Sequence, residues 1–109
     1  MNFGQMGKMM KQIQKMQEDM QRLQEELKER TVEASAGGGV VRAVATGAME
    51  VRQIKIDPAA VDPNDVEMLE DLIAAAVNEA LRKAQDMVQQ EMARITGGLN
   101  LPQIPGLNF

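Results

Sequence analysis

The chain has no cysteine, histidine, tryptophan or tyrosine, and its only aromatic residues are Phe3 and Phe109. Without cysteine there is neither a disulfide framework nor thiolate chemistry. Without histidine the usual general base and the commonest zinc ligand are missing. Ser35 is the only serine, so a serine nucleophile would stand without an imidazole beside it. Glu70 and Asp71 adjoin on a predicted helix and point different ways, which reads as a solvated acidic face, and no carboxylates fall at EF-hand spacing. The residues offer no catalytic, metal or cofactor site and no pocket for a small-molecule substrate, so an enzyme is not expected. The N-terminus lacks the apolar core of a signal peptide. No apolar run nears the roughly 20 residues that cross a bilayer, so no membrane role is expected and the expected location is the cytoplasm.

Ten methionines, with Ala, Val, Leu and Ile, supply most of the hydrophobic residues. Such side chains fill space but provide few large anchors, and a long thin helix of this composition is hard to support without a partner. The net charge is −4, yet its distribution is uneven. Up to Gln17 the only charged side chains are Lys8, Lys11 and Lys15, whereas acids dominate from Glu18 onward. A basic tip on an acidic body is the result.

With Met6 as heptad position a, Met6, Ile13, Met20 and Leu27 fall on a, and Met9, Met16 and Leu23 fall on d. This unbroken seam predicts a helix over about residues 5–29, packed along a narrow stripe. Lys8, Lys15 and Arg22 occupy c and Lys11 occupies f, on the face opposite the seam. The signals then change to short β-rich runs. "TVEASA" alternates, Gly37–Gly39 make a turn, "VVRAVAT" is a second strand, the Thr46–Ala48 stretch turns again, and "MEVRQIKI" is a third strand with a slip near Gln53. An antiparallel meander follows. Asp62 reads as an N-cap with Pro63 at the first helical position, and a second helix carries a broad stripe from Val66 to Ala84, with Ala74–Ala76 permitting close approach to a sheet. Beyond Ala84 the stripe narrows to Met87, Val88, Met92 and Ile95, and Gly97-Gly98 stop the helix. The fold class is α+β: a long N-terminal helix, a three-stranded antiparallel meander and a long C-terminal helix (α-β-β-β-α). Residues 1–96 form one domain, and residues 97–109, uncharged and Pro-containing, are expected to be a largely disordered tail.

The methionine stripe is first of all core, packed on the second helix's C-terminal seam or on a twin subunit. A Met-rich groove holding a protein partner is the alternative, which would make the chain an interaction module. The basic face is first of all a solubilising surface. Against that stands the lack of any acid in the first seventeen residues. Lys8, Lys11, Lys15 and Arg22, with Gln14 and Gln21 nearby, suit backbone contacts to phosphates, which position a protein without reading sequence.

Several segments together resemble the YbaB/EbfC family of bacterial nucleoid-associated DNA-binding proteins: "MGKMMKQIQKMQEDMQ", "SAGGGVVRAVATG", "EVRQIKIDP", "DVEMLEDLIAAAVNEALRKA" and a Pro-containing tail ending in Phe. The likeness runs nearly end to end. It implies a homodimer joined through its sheets, with helical arms projecting like tweezers and gripping double-stranded DNA, and a role in nucleoid organisation and gene regulation. It implies that DNA contacts fall on the arm helices, here on Lys8, Lys11, Lys15 and Arg22 of the first and on Arg82, Lys83 and Arg94 of the second.

Overall fold

The computed structural model describes residues 3–97. It contains helix α1 (Phe3–Glu29), strands β1 (Thr31–Ala36), β2 (Val41–Thr46) and β3 (Val51–Ile56), and helix α2 (Val66–Gly97), with 3-10 turns at Gly37–Gly39 and Pro58–Ala60. The expected α-β-β-β-α order is the observed one. Gly97, expected to begin the tail, is the last residue of α2; residues 98–109, the rest of the expected tail, lie outside the described residues. The molecule measures 76 × 30 × 16 Å, an elongation to which both helices contribute, since 27 and 32 residues at ~1.5 Å each span about 40 and about 48 Å.

The sheet has the order β1-β2-β3, antiparallel throughout. Between β1 and β2 the chain reverses on three glycines with φ of 64°, 74° and 98°, a run that β-carbon-bearing residues would strongly resist. Between β2 and β3 the register passes from Val44↔Gln53 to Ala45↔Val51, so Arg52 is the extra residue of a bulge. This is the slip expected near Gln53. The bulge restores the alternation, so that Val51, Ile54 and Ile56 lie on the same face as Ala45, Ala43 and Val41.

That face receives α2. Ala76, Ala80 and Ala84 recur every four residues and are fully buried against Ala34, Val41, Ala43 and Ala45, with Leu69, Leu72, Ile73, Val77 and Leu81 around them. Alanine on both sides brings helix and sheet close together. The close-packed row is therefore Ala76–Ala80–Ala84, not Ala74–Ala76; Ala74 and Ala75 are exposed, because neighbouring helix residues are 100° apart. Val66, expected in the stripe, is also exposed. A single helix about 10 Å wide covers roughly two strands spaced about 4.8 Å apart. It lies over β1 and β2 and only brushes β3.

The cap of α2 differs from expectation. Asp65, not Asp62, is the N-cap: its Oδ1 accepts the Met68 amide at 3.2 Å. Asp62 instead heads the preceding turn, with its Oδ1 accepting from Asn64 N at 2.9 Å and its carbonyl accepting from Asp65 N at 2.9 Å.

Candidate nucleic-acid interface

Helix α1 is fixed at one end only. Leu27 is buried, and Gly47 N donates to the Arg30 carbonyl at 3.1 Å, tying the helix exit to the β2–β3 turn. Arg30 reaches Glu91 of α2 at 3.3 Å. Along the seam Met16, Met20 and Leu23 are half-buried, as are Met87, Val88, Met92 and Ile95 on α2. Beyond that the cover ends. Met6, Met9, Met10 and Ile13 are exposed by 47, 55, 62 and 48%. The seam read as core is thus buried only at Leu27, half-covered from Met16 to Leu23, and open surface before that.

On the opposite face of the open half stand Lys8, Lys11 and Lys15. Their spacing of three and four residues sets them in a row about 10 Å long. Among the described residues none of the three holds an ion pair or a side-chain hydrogen bond. Glu18 and Asp19 lie within helical reach of Lys15, but Asp19 is taken by Arg22 at 3.0 Å.

The other four sequence candidates are occupied or distant. Arg22 is held by Asp19, Arg82 by Glu79, and Arg94 by Glu91 at 3.3 Å. Lys83 donates to the Glu33 carbonyl at 3.2 Å. Arg94 shares Glu91 with Arg30, which puts it at the base of α1, some 30 Å along the helix from Lys8. The seven residues therefore form two groups, and among these seven only the three lysines of the α1 tip are without an ion pair or side-chain hydrogen bond to the described residues. Lys55 on β3 is a further unpaired cation among the described residues, which the sequence reading passed over. It pairs in register with Arg42 on the sheet face away from α2. Its signal was present: it is out of phase with Ile54 and Ile56.

No group of three or more acidic side chains among the described residues is arranged to hold a metal ion, and no described helix is long and apolar enough to cross a membrane. What remains chemically is a cationic arm of fixed spacing, suited to a polyanion.

A family model described as the YbaB/EbfC DNA-binding family matches residues 1–99. The chain belongs to that family. It is a family of DNA-binding proteins, not of enzymes. A nucleoid-associated protein of Moorella thermoacetica is 69% identical over 94% of this chain and 98% of its own length. Another, of Pelotomaculum thermopropionicum, is 66% identical over 91% of this chain and 94% of its own length. The crystal structure of an uncharacterized protein, HP0035, from Helicobacter pylori superposes with a TM-score of 0.67 at 21% identity, covering 88% of this chain and 98% of that one. It shares the fold. The YbaB/EbfC relatives and the arm geometry thus point to the same class of ligand.

Proposed function

We propose that this YbaB/EbfC protein binds double-stranded DNA as a homodimer, through phosphates and with little sequence preference, and so organises the nucleoid and influences gene expression. The carrying observation is the unpaired row Lys8, Lys11 and Lys15 on an arm without acids before Glu18. Free lysines release counterions from DNA without first breaking a protein ion pair. The contacts are to backbone, because lysine is a point charge with no fixed fork to read base edges.

The dimer is supported by β3. Val51, Ile54 and Ile56 point to the helix-covered face yet remain exposed by 38, 41 and 36%, and β3 is an edge with an unpaired backbone. An apolar, unpaired edge strand invites a second copy. Two copies bring six arm lysines to one duplex.

Fluorescence anisotropy with a labelled duplex across a salt series tests the reading. Six phosphate contacts give a slope of log affinity against log salt of about −5. A flat dependence overturns it, and favours the alternative in which the methionine-rich arms hold a protein. Sedimentation of Ile54→Lys tests the dimer: the variant is expected as a monomer with weaker DNA binding, and an unchanged sedimentation coefficient refutes the β3 interface.

A further inference from the structure

The open half of the α1 seam and the lysine row lie on opposite faces of one helix. Met6, Met9 and Ile13 occupy a, d and a, while Lys8, Lys11 and Lys15 occupy c, f and c. An arm that lays its lysines on phosphate therefore turns its methionines away from the duplex. We propose that these exposed seams pair with each other, arm against arm between copies of the chain, and that such pairs bridge two DNA duplexes. The proposal rests on the DNA-binding reading above and adds to it a second activity of the same arm.

Three observations select another arm as the occupant. First, the open seam continues, in unbroken heptad phase, the stripe that is half-buried from Met16 to Leu23 and buried at Leu27. Its geometry is that of a surface made for a helix: one residue wide, alternating three and four. Second, the flanking positions carry no charge. Gln5 and Gln12 stand at g, Met10 and Gln17 at e. Two like arms can approach without repulsion at positions where like charges would forbid pairing, and glutamines can hydrogen-bond across. A lipid surface would ask for a wider apolar face with lysines at its borders; here the lysines stand at the far pole. Third, pairing seam to seam sends the two lysine rows outward in opposite directions, each toward its own duplex.

The open seam is short, about two turns, so the pairing is weak between free molecules. Arms held on DNA meet at a much higher effective concentration, which strengthens a contact that free molecules make only transiently.

The experiment uses a bead-immobilised duplex and a fluorescent duplex, with capture of the second by the first as the measure of bridging. Single-duplex affinity is measured in parallel. Wild-type protein is expected to capture the second duplex. Met9→Gln combined with Ile13→Gln keeps helix propensity at exposed sites; it should hold single-duplex affinity within about twofold while bridging falls by about tenfold. Undiminished bridging in this variant overturns the proposal.

The absence of cysteine allows a direct test of the contact, with or without DNA. Met9→Cys should give disulfide-linked chains under copper–phenanthroline oxidation, and Lys11→Cys on the opposite face should not. Equal cross-linking of the two overturns arm pairing. Leu107→Ser combined with Phe109→Ser tests the chain's own tail as occupant: enhanced Met9→Cys cross-linking in that background would show that the tail normally covers the seam, and would overturn the proposal. If no protein binds single duplexes, the DNA reading fails by itself, and the cross-linking still decides whether arms pair.

Discussion

Gly47 lies so close to Leu27 that a β-carbon built on it would sit 2.1 Å from the Leu27 carbonyl oxygen and 2.7 Å from its carbonyl carbon. The obstacle is helix backbone, which cannot swing aside as a side-chain tip can. At the same point Gly47 N donates to the Arg30 carbonyl, and Thr46, beside it, is fully buried. One glycine thus sets the closeness with which the arm joins the sheet.

Gly47→Ala is accordingly expected to destabilise the protein by roughly 2–4 kcal/mol, at the upper end of overpacking effects. Urea denaturation measures it. The control is Gly7→Ala, near the start of α1, where a β-carbon meets nothing within 4 Å; it should not destabilise, and should stabilise by at most about 1 kcal/mol. A Gly47→Ala midpoint equal to wild type would show that the arm junction has slack.

The alanine row under α2 makes a second prediction. Ala80 is fully buried between Ala76 and Ala84, facing the small residues of β1 and β2. Ala80→Val should cost about 1–3 kcal/mol by forcing helix and sheet apart. Ala75→Val, about 140° round the helix from Ala80 on exposed surface, should cost only the propensity difference, under about 0.7 kcal/mol. Comparable losses at both sites would contradict the close helix–sheet contact.

The start of α2 separates two aspartates with similar sequence credentials. Asp65→Ala removes the side-chain acceptor for Met68 N and should cost about 1 kcal/mol. Asp62→Ala loosens only an exposed turn and should cost less. Thermal melts of both variants check the order. The reverse order would return the cap to Asp62.

These sites show what the sequence carried. Heptad phase from Met6 to Leu27, the three glycines and the slip near Gln53 each act through a neighbour a few residues away, so they were readable. The Asp62 or Asp65 choice turns on which of two overlapping turns continues into the helix, and Pro63 suits either. Burial of β3 was unreadable for another reason. Its alternation marks an inward face, but how many strands one helix covers is a matter of widths, known only once the layers stack. Free and engaged cations were in fact separable: Arg22, Arg82 and Arg94 each follow an acid by three residues, and Lys8, Lys11 and Lys15 do not.

That separation ranks the candidate DNA contacts. Lys8→Gln, Lys11→Gln and Lys15→Gln each remove a free cation, two per dimer, and each should flatten the salt slope by about 2 while leaving the melting temperature unchanged. Arg22→Gln, Arg82→Gln and Arg94→Gln remove cations whose charge already has a carboxylate partner. Their effect on the slope should be under about 1, because a paired arginine must leave its acid before it can replace a counterion. Lys55→Gln, on the sheet, distinguishes an arm grip from a broad cationic surface: it should leave the slope untouched if only the arms meet the duplex. Salt titrations of the seven variants against one labelled duplex give the order directly. Equal slopes throughout would mean that the bound protein opens its surface ion pairs freely, and the arm lysines would lose their claim to be the grip.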